Sequence, residues 1–423
     1  MNPSDLLILA GAVLAFSLLS KKAEDSLVTP PMAFAALGVV VSGAGLGLIE
    51  LPATSALIHA LAEITLILTL FTDASRIDVT ELSVQHAIPI RLLLIGLPLA
   101  IIAGTGAAWL LFPALGLWGA AILGVILAPT DAALGQSVVA NPRVPQRIRQ
   151  AINVESGLND GLAFPALLVV AALAQASVDK STADFVTFAA LQILLGPAAG
   201  VFVGWAGSWA AEKALAHDWM AEIYLKIGTL ALPLVAYGGA ELIGGNGFIA
   251  AFACGLVVAA RSNAVRAAAG AFGEAEGQLL TLIVFTLFGA ILLPDIASDV
   301  GWRHLLYAVL SLTVLRMVPV ALSLVGAPVR PVTVLFIGWF GPRGLASIIY
   351  LLLVLEEYDV GDMTDVKATV ILTVALSIIL HGISASPLAK AYGANADEDH
   401  PESRPLKGFA LRLRSHGGKK HPR

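Results

Sequence analysis

Val154-Glu155-Ser156-Gly157-Leu158-Asn159-Asp160-Gly161 stands inside an apolar run covering residues 148–176, and Ala128-Pro129-Thr130-Asp131-Ala132 stands inside the run before it. A bilayer is crossed by about 20 residues of helix, and both runs reach that length. Between them they carry Glu155, Asp160 and Asp131. A charge at bilayer depth costs about 2.5–3.5 kcal/mol on insertion scales, so such groups face a bundle interior and mark an ion or proton path. The three carboxylates therefore read as an ion or proton site inside a membrane-embedded bundle.

Composition agrees. The chain has 423 residues, 57% of them hydrophobic and only 13% charged, with a mean hydropathy of +0.85. Soluble domains carry about 25% charged residues. Lipid is spanned only by helices and closed barrels, and these runs are too long for barrel strands. The expected fold class is an all-α polytopic membrane protein. Cys254 is the only cysteine, which excludes an intrachain disulfide and leaves it a packing role. The first run, Leu6 to Leu19, has no basic leader and is followed by Lys21-Lys22, so it reads as a retained span.

About thirteen runs of near-spanning length follow one another. They cover 4–20, 31–49, 54–72, 89–112, 115–140, 148–176 and 183–210, then 221–241, 244–260, 276–296, 304–326, 331–355 and 367–389. With the amino terminus outside, cytoplasmic segments and the tail hold about nineteen basic residues, and the external loops keep Lys180, Arg303 and Lys367. That asymmetry places the carboxyl terminus in the cytoplasm. After Gly393 the chain turns polar, which predicts a flexible cytoplasmic tail.

Span 5 is interrupted by Pro129, and span 12 by Phe340-Gly341-Pro342-Arg343-Gly344. Seven spans separate them, and an odd offset means opposite orientations. Two broken helices in matching places of inverted halves point to a transporter site, because each break frees carbonyls that can face a cation. On a helix, residues four apart share a face, which stacks Ser156 over Asp160 and Glu155 over Asn159. Ser156 and Asp160 then offer two hard oxygens to one point, which Thr130 and the carbonyls near Pro129 complete; hard cations select oxygen ligands. Arg343 is the basic residue in mid-span 12, and Glu155 is its expected counter-ion. Asp131 is expected to accept from the Asn159 amide, leaving Asp160 as the group that holds either a cation or a proton. Asp73 is either the lining of an entry funnel or a solvated helix end. Glu241 and Asn246 read as solvated outer-edge residues, Lys226 as snorkelling inward, and Arg316 as scaffold or lipid contact. No P-loop, dinucleotide fingerprint or catalytic triad occurs, so no catalytic residue, cofactor, ATP-driven step or nucleic-acid partner is expected.

Pro129-Thr130-Asp131, Glu155-Ser156-Gly157-Leu158-Asn159-Asp160-Gly161, Gly341-Pro342-Arg343-Gly344 and Phe71-Thr72-Asp73-Ala74 together resemble the sodium–proton antiporters of the NhaP and NHE type, in the monovalent cation:proton antiporter superfamily. The resemblance extends over nearly the whole chain in span number and order. Asn159-Asp160 is similar to the electroneutral branch, whose electrogenic relatives carry two aspartates. What the resemblance implies is exchange of one monovalent cation (Na⁺, with Li⁺ or K⁺ open) for one proton, by an elevator-like movement, in a homodimer of the plasma (inner) membrane. It further implies cation ligands at Asp160, Ser156, the Thr130 backbone and Asp131, a Glu155–Arg343 pair, and Asn159 supporting the aspartate. It divides the chain into scaffold and dimerisation helices (1–88), core helices (89–176), linker and scaffold helices (177–300), core helices (301–392) and a tail (393–423). Gly157 departs from bulkier residues in the motif. The chain reads as a self-contained bacterial-type transporter, without the long regulatory domain of animal exchangers.

Three rivals use parts of the same pattern. A passive cation channel needs the same ligands but moves no obligatory proton. An intramembrane aspartyl hydrolase needs facing aspartates such as Asp131 and Asp160, yet its Gly-x-Gly-Asp pattern is missing. A sodium-coupled organic-anion symporter shares crossed broken helices, with Arg343 as its anion partner, but three carboxylates against one arginine favour cations.

Overall fold

The computed structural model describes residues 3–24, 27–48, 56–77, 87–131, 134–135, 138, 141–179 and 182–394. The tail beyond 394, His86 and most of 132–140 lie outside these. Among the described residues the chain is helical, with no strand. The helices are α1 (Pro3–Glu24), α2 (Pro30–Val41), α3 (Ala56–Ser75), α4 (Ala87–Leu111), α5 (Gly116–Ile126), α6 (Gln146–Asp179) and α7 (Thr182–Ala216). Next come α8 (Glu222–Leu242), α9 (Gly247–Arg261) and α10, which runs from Asn263 to Asp295. The last three are α11 (Trp302–Leu312 and Val314–Ser323), α12 (Pro331–Trp339 and Leu345–Glu357) and α13 (Thr364–Ala394). Their order follows that of the apolar runs in the sequence. By length and composition, 7 of them are long and apolar enough to cross a membrane.

Prolines explain the irregular turns. Pro98 and Pro294 each lack an N–H and crowd the carbonyl four residues earlier. Both are preceded by a π-turn, at Leu92–Gly96 in α4 and Phe288–Leu292 in α10, that absorbs the misfit. The run expected at 276–296 begins earlier, at Asn263, because Ser262 Oγ accepts from Val265 N–H and caps a polar first section. The run 304–326 is broken at Thr313, a break with no Pro or Gly to announce it. The Thr313 hydroxyl instead donates to Val309 O at 2.6 Å, a back-bond that bends helices.

Without a hydrophobic force between helices in lipid, small residues set the close approaches. Gly196, Gly200 and Gly204 of α7 lie against the backbones of Asn246, Ala250 and Cys254 of α9; a Cβ on any of them would overlap that chain. The spacing of four on both sides is visible in the sequence. Asn246 is thereby 5% exposed rather than solvated, and its Oδ1 accepts from Ile249 N–H to cap α9. Glu241 does stay exposed, accepting from Gly247 N–H, while Lys226 pairs with Glu222 at 2.8 Å. On the far side of α9, Gly255 meets Phe71 of α3, and Phe252 lies on Gly161 of α6. These contacts bring α6 between α9 and the two broken helices.

Candidate functional site

Both expected interruptions are present, and they meet. α5 stops at Ile126, α12 is unwound between Trp339 and Leu345, and the two breaks supply one another's missing bonds. Asp131 N–H donates to Pro342 O at 2.8 Å, the carbonyl that a continuous α12 would give to Ala346. Leu345 N–H donates to Asp131 Oδ2 at 2.6 Å, replacing its lost bond to Gly341 O. In return, Ser347 Oγ donates to Ile126 O at 2.8 Å, and Arg343 Nη1 donates to Ala128 O and Pro129 O at 2.7 and 3.0 Å. Buried backbone groups are almost always satisfied, and here two helices do it jointly. The charges also match the dipoles. A carboxylate sits at the positive amino end of the second half of α12, and a guanidinium at the negative carboxyl end of α5.

Two consequences are testable. Asp131→Ala removes an amino-terminal cap in a buried setting and is expected to cost about 1–2 kcal/mol, whereas Asp131→Asn keeps an acceptor and loses less. Thermal unfolding of the detergent-solubilised variants ranks them. Gly344→Ala places a methyl directly on the Asp131 carboxylate, so it is expected to give less folded protein than Asp131→Asn, read as monodisperse yield.

Beside the crossing, α6 presents its polar face. Thr130, Ser156, Asn159 and Asp160 are all buried, at 1%, 2%, 1% and 7% exposure. Asn159 Nδ2 donates to Thr130 Oγ1 at 2.6 Å, and Thr130 Oγ1 lies 3.0 Å from Ser156 Oγ. Asp160 Oδ1 and Asn159 Oδ1 are buried acceptors without a hydrogen-bond partner among the described residues. From the other side Tyr350 OH donates to the Asp160 main-chain carbonyl at 2.5 Å. Asp73, half-buried near the end of α3, packs on Gly157, whose Cβ would stand 3.5 Å from that of Asp73. Asp73 is thus neither remote nor a solvated end, and with Asp131 it supplies the charges that act on Asp160 through space.

Two expected pairings are corrected. Glu155 is bound by Arg316, not Arg343: Arg316 Nη1 lies 2.6 Å from Glu155 Oε1, and Nη2 donates to Oε2 at 2.9 Å. Both side chains are 3% exposed. The break at Thr313 turns Arg316 inward, and Gly341 makes room, since a Cβ there would overlap the Arg316 guanidinium. Arg343 stays within electrostatic range of Glu155 but its direct bonds go to the α5 carbonyls. Nor does Asp131 take the Asn159 amide, which goes to Thr130; the Asp131 carboxylate serves the α12 backbone instead. Sequence reasoning missed Arg316, Tyr350 and Ser347 as parts of this centre. A lone arginine in an apolar run was the signal available for the first; the other two carry none.

No trio of His, Cys, Asp or Glu among the described residues forms a transition-metal or divalent site. A buried carboxylate one helical turn from a bonded pair of hydroxyls offers hard oxygens only, which suit a monovalent hard cation better than a softer metal.

A family profile described as "Sodium/hydrogen exchanger, transmembrane" matches residues 6–391. The chain belongs to the sodium/hydrogen exchanger family. A protein named Na(+)/H(+) antiporter from Schizosaccharomyces pombe is 26% identical over 318 residues, covering 66% of each chain. One named K(+)/H(+) antiporter NhaP2 from a Shewanella species is 27% identical over 252 residues, 59% of this chain and 42% of that one. The alignments thus span between about two fifths and two thirds of these relatives. In three dimensions, the sodium proton antiporter MjNhaP1 from Methanocaldococcus jannaschii superposes with a TM-score of 0.75 at 22% identity, over 92% of this chain and 98% of that one. The exchanger chain therefore has that fold.

Proposed function

We propose that this protein is a secondary antiporter that exchanges a monovalent cation for a proton, with Asp160 as the shared site. One observation carries the reading: Asp160 Oδ1 is buried without a hydrogen-bond partner, one helical turn from Ser156 and its bonded Thr130. A buried carboxylate in that condition is costly unless it carries a proton or faces a cation. Asp160 carries one or the other, never both, and that exclusivity couples the two fluxes. Asn159 in place of a second aspartate supports electroneutral exchange of one cation for one proton. The printed names of the relatives support Na⁺ or K⁺ as cargo, with Li⁺ a further candidate.

In this reading the core consists of 89–176 and 301–392, and it moves against a scaffold of 1–88 and 177–300 by alternating access. Asp73 lies on the cytoplasmic approach to Asp160. The protein works as a homodimer in the plasma (inner) membrane, amino terminus outside and carboxyl terminus in the cytoplasm, as the basic-residue asymmetry supports. An anion-symport role is disfavoured, because both Nη atoms of Arg316 bond to Glu155 and Nη1 of Arg343 bonds to two α5 carbonyls.

The test is decay of a pH gradient in proteoliposomes on adding Na⁺, Li⁺ or K⁺, with the membrane potential clamped. Cation-triggered decay under the clamp is expected and names the ion. Decay only when the membrane potential is left unclamped would mean a channel, and no response from folded protein would end the exchange reading.

A further inference from the structure

One bond in the α12 break is replaced from a third helix. In a continuous α12, Arg343 N–H would donate to Trp339 O, four residues earlier. Instead Arg343 N–H donates to Ser377 Oγ at 2.7 Å, and His381 Nε2 lies 2.9 Å from Trp339 O. Ser377 Oγ and His381 Nδ1 are 3.2 Å apart on α13. The two ends of the missing bond are therefore joined through two side chains.

The donor order follows from chemistry. A main-chain carbonyl only accepts, so His381 Nε2 carries the hydrogen that Trp339 O takes; Nδ1 faces both oxygens of Ser377, the main-chain O at 3.0 Å and Oγ at 3.2 Å, and in a neutral ring protonated at Nε2 it can accept only from the hydroxyl. Ser377 Oγ already accepts from Arg343 and gives its own hydrogen to Nδ1. The contacts run from Arg343 N–H to Ser377 Oγ, from Ser377 to His381, and from His381 Nε2 to Trp339 O. Ser377 and His381 are 0% and 1% exposed, and at a spacing of four they share a face. Three residues further along α13, Ser384 Oγ accepts from Trp339 Nε1 at 2.9 Å, which fixes the residue at the far end of the gap. Trp339 O also takes Gly341 N–H at 2.9 Å, so the carbonyl has both lone pairs used.

We propose that Ser377 and His381 are positioning residues: a side-chain splint in place of the 339–343 backbone bond, holding α12 open so that the Arg343 guanidinium reaches Ala128 O and Pro129 O. The segment does not close into regular helix by itself, because Pro342 has no N–H and Gly341 and Gly344 disfavour helix. Without the splint the segment loosens, Arg343 leaves the α5 carbonyls, and the Pro129–Thr130 backbone beside Asp160 shifts. The consequence for transport rests on the exchange reading above; the splint itself does not.

Two readouts keep these apart. Hydrogen–deuterium exchange of the segment 340–345 in purified protein is expected to rise about tenfold in Ser377→Ala and in His381→Phe. It should stay near wild type in Ser377→Thr, which keeps the hydroxyl, and in His381→Gln, whose amide can donate to Trp339 O and accept from Ser377. In proteoliposomes, the first two variants should raise the cation KM about tenfold, and Ser377→Ala/His381→Phe should match either single variant, because links in series are lost together. Unchanged exchange of segment 340–345 in both disruptive variants would overturn the splint. So would additive effects in the double variant, or lower folded yield with wild-type segment exchange and KM, which would make the pair mere packing. Loosening of 340–345 in a protein that responds to no cation would keep the splint and remove the transport reading instead.

Discussion

Asp160→Asn is expected to abolish cation–proton exchange while the bundle still folds. A unit cation about 4 Å from a unit carboxylate gains about 4 kcal/mol at an effective dielectric of about 20, and every 1.4 kcal/mol is about tenfold. Removing the charge should therefore weaken cation binding by about three orders of magnitude and leave no titratable group at that place. The fold should survive because asparagine nearly matches aspartate in size and Tyr350 bonds the Asp160 main chain, which the substitution keeps. Proteoliposome assays with Na⁺, Li⁺ and K⁺, alongside size-exclusion profiles, read both halves. Exchange persisting in Asp160→Asn would move the shared site to Asp73 or Asp131, the two carboxylates that act on Asp160 through space. Asp73→Asn is the second arm, expected to slow exchange without abolishing it, since Asp73 borders the site, whereas Asp160 stands one helical turn from Ser156 and its bonded Thr130.

The features legible in the sequence are those with a local cause. Pro129 and the Gly341-Pro342-Arg343-Gly344 run interrupt apolar helices wherever they occur, so both breaks stand where the sequence puts them. Thr130, Ser156, Asn159 and Asp160 come together because helical spacing and one break suffice to assemble them. The partner of Glu155 was not legible, because it depends on a helix bend at Thr313 and on the space left by Gly341, two effects that only act once α6, α11 and α12 are packed. The Asn159 amide went astray for a similar reason: Asp131 was already taken by the open amino end of α12, a demand visible only when the backbone bonds of both breaks are accounted for. Asn246 was placed by the polarity of its turn, whereas the glycine ladder of α7 draws that turn inside. Charge balance changes with the added arginine. The centre holds Asp73, Asp131, Glu155 and Asp160 against Arg316 and Arg343, so it still has an excess of negative charge to be met by cargo.

Arg316→Met is expected to destabilise the protein more than Arg343→Met, which reverses the order the sequence suggests. Glu155 and Arg316 form a bidentate pair at 3% exposure on each side. Removing one partner of a buried pair costs about 3–5 kcal/mol, because the survivor is left charged and undersolvated. Arg343→Met leaves no carboxylate stranded. It leaves the Ala128 and Pro129 carbonyls short of a partner; they are neutral, and under-satisfied carbonyls are the better tolerated of the buried backbone groups, so each costs toward the lower end of about 1–3 kcal/mol. The double variant Glu155→Gln/Arg316→Met removes both charges and should recover much of the loss seen in Arg316→Met, since the pair as a whole is worth far less than the penalty of breaking it. Monodisperse protein remaining after a fixed heating step in detergent gives the ranking. Activity separates the roles further. The double variant keeps Asp160, Ser156 and Thr130 and should retain cation-dependent exchange, whereas Arg343→Met disturbs the α5 carbonyls beside Thr130 and should lower exchange even where the protein stays folded. If Arg343→Met proves the less stable and Glu155→Gln rescues it, then Glu155 relies on Arg343 during the working cycle, and the contact with Arg316 belongs to one conformation of the crossing.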